Sequence, residues 1–165
     1  MQPKPADTIA ASSSEASLQR VLVVDDSPVQ LKILCAVMRR WGFEVLEASS
    51  GEQALEICRT MVPDAVLSDW MMPGMDGLEF CRQFRELKRD RYGYFILLTS
   101  KGEKEEIARG LDAGADDFLT KPVNSYELRA RINAGARILS MQRQLSDTLG
   151  RLRSAYDAID RDLRQ

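Results

Sequence analysis

Apolar residues along the chain form five short runs, and between the runs apolar residues recur every three or four positions. Short runs rich in Val, Leu and Ile are typical of buried strands, whereas the three-or-four spacing is typical of helices buried on one face. The predicted strands are residues 21–24, 45–48, 65–68, 95–98 and 118–120. Ser27-Pro28 and Asn124 or Ser125 predict helix starts, and Gly42 and Gly114 predict turns.

The five runs predict one parallel sheet with helices on both faces. Their apolar residues are nearly continuous rather than alternating with polar ones, as in strands covered on both faces. Five alternating strand–helix units predict a doubly wound α/β fold. A dinucleotide-binding fold is the structural alternative, but no Gly-x-Gly-x-x-Gly follows the first strand, and a Walker phosphate loop is also missing. Glycine-based nucleotide sites are therefore excluded.

The two ends of the chain depart from this alternation. Residues 1–19 contain Pro3, Pro5 and an Ala/Ser run with few large apolar groups, which predicts a disordered lead. From Tyr126 onward there is no proline, and the spacing predicts one helix of about forty residues. We assign residues 20–137 to the α/β domain and residues 138–165 to an extension of its last helix.

This extension has the apolar spacing of a coiled coil. Leu128 and Ile132 are expected to pack on the α/β domain, and the apolar residues further along alternate four and three apart, like a and d positions. They are Leu145, Leu149, Leu152, Tyr156, Ile159 and Leu163. Upstream, Met141 continues the pattern, so the steps from Met141 to Leu145 and from Leu145 to Leu149 are both of four residues. Two successive four-residue steps resemble a stutter. Because a forty-residue helix is about 60 Å long, its distal half projects beyond the domain, and we expect a parallel homodimer.

Charge and hydropathy limit the classes of partner that we expect for the chain. The formal net charge is −2 and the pI is near 5.3, so a basic nucleic-acid-binding face is not expected. No apolar stretch has the length of a membrane span, and the first residues lack the apolar core of a signal peptide. We expect a cytoplasmic protein that contacts neither nucleic acid nor membrane directly.

The histidine and cysteine content excludes several chemistries. The chain has no histidine, which excludes His-ligated zinc, Ser-His-Asp hydrolysis and a phosphohistidine on this chain. Cys35, Cys58 and Cys81 form no Cys-x-x-Cys pair and lie among apolar neighbours, so we interpret them as reduced, buried residues. If phosphoryl chemistry occurs here, the donor is another molecule.

Polar residues follow four of the predicted strands at their carboxyl ends. Asp25 and Asp26 follow the first strand, Asp69 the third, Thr99 the fourth and Lys121 the fifth. In a parallel sheet these ends meet at one crevice. Clustered carboxylates raise one another's pKa unless a cation is present, and oxygen ligands favour a hard ion such as Mg²⁺. The pattern predicts a crevice for Mg²⁺ and a phosphoryl group.

Within this crevice Asp69 is the candidate nucleophile, because a carboxylate can attack phosphorus to give an acyl phosphate. Lys121 offers a positive charge to one phosphoryl oxygen and Thr99 a hydroxyl donor to another. Pro122 gives Lys121 structural support, since an X-Pro bond can be cis and can fix the direction of the preceding side chain. Taken singly, each of these residues could instead be a helix cap, a loop lysine or a strand-end β-former.

Over residues 20–137 the chain resembles the receiver domain of two-component response regulators, which has a flavodoxin-like fold. The resemblance rests on four motifs: Val-Val-Asp-Asp-Ser at 23–27, Leu-Ser-Asp-Trp-Met-Met-Pro-Gly-Met-Asp-Gly at 67–77, Leu-Leu-Thr-Ser at 97–100, and Phe-Leu-Thr-Lys-Pro at 118–122. It implies a signalling domain rather than an enzyme with its own substrate. It also implies that Asp69 accepts a phosphoryl group from a histidine kinase or phosphotransfer protein.

The resemblance further assigns roles to individual residues. Mg²⁺ would be held by Asp26 and Asp69 directly, by Asp25 largely through water, and by the backbone carbonyl of Met71. Thr99 and Phe118 would form the switch, although Phe118 is equally well interpreted as a core residue. Pro73 and Gly77 would shape the loop after Asp69, and Met71 and Lys101 occupy positions that modulate dephosphorylation.

Three alternatives accompany this interpretation. The helix after Leu128 resembles the connectors that precede diguanylate cyclase domains, so the chain could be the input part of a larger regulator; the Gly-Gly-Asp-Glu-Phe signature itself is absent. An aspartate-nucleophile phosphatase of the haloacid dehalogenase type places Asp-x-Asp on its first strand, which the adjacent Asp25 and Asp26 match poorly. A coiled-coil dimeriser with a degenerate receiver would not need the complete set of site residues.

Overall fold

The structure is a computed structural model, and it describes residues 18–100 and 104–165. Residues 1–17 of the predicted lead, and Lys101, lie outside the described residues. The last two residues of that lead are part of the fold, contrary to the prediction: Leu18 is 2% exposed, and the Gln19 amide donates a hydrogen bond to the Asp64 carboxylate. Leu18 belongs to one of the two buried apolar clusters, so the packed domain includes this residue.

Five parallel strands form one sheet in the order β2-β1-β3-β4-β5. They are β1 Arg20–Val24, β2 Glu44–Ala48, β3 Ala65–Asp69, β4 Tyr94–Thr99 and β5 Asp117–Thr120. Each predicted strand lies inside an observed one. The doubly wound, five-stranded α/β fold is confirmed, and the strand order brings β1, β3, β4 and β5 side by side.

Two apolar cores cover the two faces of this sheet. On one face, Leu22 and Val24 of β1 pack with residues of the second and third helices. On the other face, Val21 and Val23 pack with residues of the first and last helices. Burying one such side chain stabilises the fold by about 1.5–3 kcal/mol. Because both faces are covered, successive residues in the interior of β1 and β4 are apolar, and this explains the unbroken runs in the sequence.

Five helices connect and follow the strands. They are α1 Pro28–Arg40, α2 Gly51–Thr60, α3 Gly77–Glu86, α4 Lys104–Ala113 and α5 Ser125–Leu163. The predicted helix starts are confirmed: the Ser27 side chain accepts the Gln30 amide, and the Asn124 side chain accepts the amides of Tyr126 and Glu127. Gly42 and Gly114 adopt φ of 93° and 106°, so these turns use backbone conformations that favour glycine.

The last helix, α5, has 39 residues and runs antiparallel to the strands. It begins beside the carboxyl ends of the strands and passes their amino ends, where Arg143 forms an ion pair of 2.8 Å with Asp64, the residue before β3. Leu128 and Ile132 pack on the domain as predicted, but so does Leu139, which is 1% exposed. The predicted boundary at residue 137 is therefore too early, because helical spacing alone does not indicate where a helix leaves a domain.

Beyond Arg143 the helix exposes an apolar stripe. We define the stripe by the residues Leu145, Leu149, Leu152, Tyr156, Ile159 and Leu163, which are 56–80% exposed. Met141 and Ile138 continue it toward the domain and are also exposed. Such a row of exposed apolar side chains indicates an interaction surface. Among the described helices, none is long and apolar enough to cross a membrane.

Candidate functional site

The polar residues predicted to converge do so at the carboxyl edge of the sheet. Asp25 directly follows β1, Asp69 ends β3, Thr99 ends β4, and Lys121 directly follows β5. Asp25, Asp69 and Thr99 are buried, with exposures of 0%, 7% and 5%. Buried polar groups at the edge of an apolar core are costly unless they have partners, so their partners decide what this site can do.

Three carboxylates form the acidic side of the site. Asp25, Asp26 and Asp69 each bring one oxygen within 4.8 Å of the others. One oxygen of Asp25 accepts the Ser27 amide at 2.9 Å, which ties it to the start of α1. Its other oxygen, Oδ2, is buried and has no hydrogen-bond partner among the described residues. A buried carboxylate oxygen without a donor is suited to bind a cation.

Lys121 forms the basic side of the site. Its Nζ lies 2.9 Å from Asp69 Oδ2 and 3.6 Å from Asp25 Oδ2, so one ammonium group faces two buried acids. The Lys121 amide donates to the Thr99 carbonyl at 2.8 Å, which ties the end of β5 to the end of β4. The Lys121-Pro122 peptide bond is cis, the isomer that the sequence analysis considered for it.

The balance of charge at the site shows in two pKa values. Burial raises the pKa of Asp69 above its usual value, the Lys121 ammonium opposes this rise, and the negative charges of Asp25 and Asp26 add to it. Burial alone would lower the pKa of Lys121, but its hydrogen bond to Asp69 and the charges of Asp69 and Asp25 outweigh that effect and raise it. Asp69 therefore carries the charge of Lys121 on one side and the charges of Asp25 and Asp26 on the other.

These features fit a divalent cation. The donor set consists only of oxygens, which Mg²⁺ prefers, and a carboxylate cluster of this kind supplies part of its octahedral shell while water supplies the rest. Asp25 Oδ2 accepts no hydrogen bond from the described residues, and burial together with the charges of Asp25 and Asp26 raises the pKa of Asp69, so a cation would stabilise both carboxylates. Met71, the predicted carbonyl ligand, lies two residues after Asp69 in the loop between β3 and α3, and its role as a ligand stays a prediction.

An aromatic pair lies beneath the site. Trp70 directly follows Asp69 and is buried, and its ring centroid is 6.4 Å from that of Phe118. The Phe118 ring also contacts Gly110 of α4 so closely that a Cβ at Gly110 would lie 2.5 Å from it. Phe118 is half-buried and packs against the core, as one of its two interpretations required. Trp70 was not predicted to pack beside the site, although its place directly after Asp69 was a usable signal.

The loop after Asp69 is shaped by close backbone contacts. The Gly77 amide donates to the Trp70 carbonyl at 2.8 Å, and a side chain at Gly77 would overlap the Asp69 carbonyl oxygen. This agrees with the predicted role of Gly77. Glu52 was not predicted: one of its carboxylate oxygens accepts the Met75 amide at 3.0 Å, and this hydrogen bond lowers the pKa of Glu52. No local pattern in the sequence indicates this contact, because it joins residues 23 positions apart.

Comparison with known sequences identifies the family. The family model for the response regulator receiver domain matches residues 21–133. The phosphate regulon transcriptional regulatory protein PhoB of Escherichia coli (strain K12) is 38% identical over 122 residues, which cover 74% of this chain and 53% of PhoB. The chain thus spans about half the length of the curated relatives it matches.

Solved structures give the same result. The chemotaxis protein CheY4 of Vibrio cholerae has a TM-score of 0.68 and 29% identity, and the match covers 71% of this chain and 98% of that chain. A putative two-component system response regulator/GGDEF domain protein has a TM-score of 0.69 and 30% identity, covering 77% of this chain and 52% of that chain. These matches favour a signalling domain over the phosphatase alternative. The chain belongs to the response regulator receiver domain family of two-component systems.

Proposed function

We propose that Asp69 accepts a phosphoryl group from the phosphohistidine of a sensor histidine kinase or phosphotransfer protein. The contact that carries this proposal is the 2.9 Å ion pair between Lys121 and Asp69 at the edge of the acidic cluster. It supports the proposal because the cation lies beside the carboxylate that would be modified. The proposal also places the chain in the cytoplasm, where ATP-dependent kinases form phosphohistidine, without direct contact to nucleic acid.

The transfer uses the residues of the site in distinct roles. A carboxylate oxygen of Asp69 attacks the phosphorus, the P–N bond to the donor's histidine breaks, and its electron pair returns to the imidazole. Lys121 then binds one phosphoryl oxygen and the Thr99 hydroxyl donates to another, which neutralises charge that develops in the transition state. Hydrolysis of the resulting acyl phosphate by water is the only other reaction that we assign to the chain.

Asp25, Asp26, Asp69 and the carbonyl of Met71 would hold Mg²⁺. When bound, the ion supplies positive charge to a phosphoryl oxygen and offsets the repulsion among the three carboxylates. The Ser27 amide donates a hydrogen bond that orients the Asp25 carboxylate, and Ser27 caps the start of α1. This hydrogen bond therefore fixes the Asp25 carboxylate relative to α1.

Labelling with a small phosphodonor such as acetyl phosphate tests the acceptor. The wild-type chain should gain the mass of one phosphoryl group, and Asp69→Asn should gain none. Asp90→Asn, at an exposed position before the amino end of β4 and away from the carboxyl ends that form the site, is the matched control and should label like the wild type. Full labelling of Asp69→Asn would refute the assignment.

The metal site has its own test. Trp70 is buried beside Asp69, so its fluorescence should change when Mg²⁺ binds. Asp26→Ala should abolish this change and also prevent labelling, while its stability without metal should rise because one repelling charge is gone. An unchanged Mg²⁺ titration in Asp26→Ala would place the ligands elsewhere.

The output of the domain, in this proposal, passes through a parallel homodimer formed by the stripe on α5. Six large apolar side chains more than half exposed support it, since a lone helix with such a face gains stability by pairing with another. Phosphorylation would shift Thr99 and Phe118 and bias two arrangements of similar energy. The stutter between Leu145 and Leu149 is where the register of the pair would change.

Sedimentation of the chain with and without beryllofluoride, a phosphoryl mimic, tests this output. A dimer whose association constant or shape changes on adding the mimic is expected. A Thr99→Ala variant should dimerise like the wild type but lose the response. A chain that is monomeric under all conditions would refute the dimer.

A second candidate is that this receiver is the input part of a longer regulator such as a diguanylate cyclase. It is supported by the share of the relatives that the chain spans, about half in PhoB and in the response regulator/GGDEF domain protein. An immunoblot of a native cell extract, made with an antibody against the domain, distinguishes the two candidates by the size of the protein. A band near 18.6 kDa favours a chain that acts alone, and a markedly larger band favours the longer regulator.

A further inference from the structure

A groove lies where α5 leaves the domain. One wall is the loop of residues 90–92, between α3 and β4, and the other wall is α5 from Leu139 to Leu149. We call it the loop groove; its volume is about 510 Å³. It lies at the edge of the sheet opposite to the acidic cluster, since Arg143 on its helical wall is paired with Asp64 before β3. The phosphoryl chemistry proposed above does not use it.

The loop wall is held firmly in place. The Tyr92 hydroxyl donates a hydrogen bond to the carboxylate of Asp116, the residue before β5. The guanidinium of Arg85 lies 4.4 Å from the centre of the Tyr92 ring, and it also donates to the Gly93 carbonyl and to Asp116. These contacts hold the loop wall against Asp116 and so connect it to β5, the strand that Lys121 follows.

The helical wall shares residues with the exposed stripe. Leu145 and Leu149 line the groove and are also 59% and 56% exposed members of the stripe. The groove is therefore continuous with the surface that the proposed dimer uses. A helix packed on the stripe would close the open side of the groove.

We propose that the loop groove receives the α5 helix of a second copy of this chain, so that the receiver as well as the stripe contributes to the dimer interface. The inference rests on the parallel dimer proposed above and adds which part of the receiver contacts the partner's helix. The residue that enters the groove is the partner subunit's Met141.

Helix geometry selects this residue. Successive residues of an α-helix are about 100° apart, so Gln142, Ser146 and Leu149 lie on one side of Leu145, and all three line the groove. Met141 and Thr148 lie on the other side of Leu145 and do not line it. In a parallel two-fold pair of helices, one side of each helix faces the opposite side of its partner, as g positions face e positions.

Chemistry supports the same arrangement. Met141 is 61% exposed in the single chain, and an unbranched methionine adapts well to an irregular apolar cavity. Asp90 brings a carboxylate to the loop wall, and the side of the helix that carries Thr148 also carries the exposed Arg151. The Arg143 charge is already paired with Asp64, so Asp90 can pair with a cation from the partner.

Cysteine cross-linking between the loop and the partner's helix tests the inference. Full-length Arg91→Cys and Thr148→Cys chains are mixed and treated with a short bis-maleimide. Since the three native cysteines are buried, they should not react. Each chain carries only one engineered cysteine, so a covalent dimer on a denaturing gel reports contact between chains. Arg91→Cys mixed with Ser154→Cys, on the face of α5 away from the stripe, is the control.

We expect a covalent dimer in the first mixture and not in the control or in either variant alone. Sedimentation of the same samples separates the two possible failures. A non-covalent dimer that gives no cross-link overturns the groove but leaves the dimer standing. A chain that sediments as a monomer overturns both. Met141→Gln should weaken association several-fold, whereas Gln144→Ala, whose side chain lies further from the stripe, should not.

Discussion

The two halves of α5 have the same local structure but different surroundings. The proximal half, up to Arg143, packs on the sheet, and the distal half extends past the domain with its apolar stripe exposed. The two glycines of the helix show the difference. A Cβ at Gly135 would lie 2.6 Å from the Tyr94 ring, whereas a Cβ at Gly150 would have no neighbour within 4 Å. Apolar periodicity therefore indicates that a helix face is buried, but not whether its own domain or another chain buries it.

Truncation should have the largest effect on this comparison. A chain ending at Gln144 keeps every described contact between α5 and the domain but loses the stripe, so it should be monomeric and still accept phosphate. A chain ending at Arg137 also loses Leu139 and the Arg143–Asp64 pair. It should be less stable than the chain ending at Gln144 by about 2–5 kcal/mol in urea unfolding. If the chain ending at Gln144 dimerises as tightly as the full chain, the stripe is not the interface.

Two leucines test the halves one residue at a time. Leu139→Ala should lower the free energy of unfolding by about 2–5 kcal/mol, because the side chain is 1% exposed and its loss leaves a cavity. Leu152→Ala removes a side chain that is 61% exposed, so it should weaken dimerisation and leave the unfolding of the receiver unchanged. Urea unfolding followed by tryptophan fluorescence, with sedimentation, separates the two effects. Equal destabilisation of the receiver by both would contradict the comparison.

Two arginine ion pairs, one in each half of α5, test the same comparison. Arg143 and Asp64 are each about four-fifths buried, so Arg143→Met should cost about 1–2 kcal/mol through the lost charged hydrogen bond. Arg164 and Asp160 form an exposed pair at the end of the helix, and Arg164→Met should leave the unfolding midpoint unchanged. Chemical unfolding of both variants in low and high salt is the measurement. A loss of stability in Arg164→Met alone would be the contrary result.

The two glycine substitutions should give small net changes in stability, in opposite directions. Gly150→Ala should raise helix content and add up to about 1 kcal/mol, the difference in helix propensity. Gly135→Ala gains the same propensity but pushes a methyl group against the Tyr94 ring, which costs about 1–3 kcal/mol. Circular dichroism during thermal unfolding compares them. A stabilising Gly135→Ala would mean that α5 can move away from Tyr94 at little cost.

The sequence indicated most of the fold and the site, for a physical reason. Asp25, Asp69, Thr99 and Lys121 each lie at the end of a local apolar run, and a parallel sheet brings such ends together without further information. The roles assigned to them stay predictions. Arg143–Asp64 and Tyr92–Asp116 could not be found in this way, since these pairs lie 79 and 24 residues apart. They depend on the angle at which α5 and the α3–β4 loop cross the edge of the sheet.

Because α5 starts next to the acidic cluster and leaves from the far edge of the sheet, Arg143–Asp64 is the last described ion pair that joins the helix to the receiver. The free arm, from Gln144 to Leu163, has twenty residues and is about 30 Å long. A tilt of about 10° at Arg143 would displace the tip sideways by about 5 Å, roughly half the diameter of a helix. Displacements too small to rearrange the receiver core would thus become, at the far end of the helix, a sideways shift large enough to change how it packs against a partner helix.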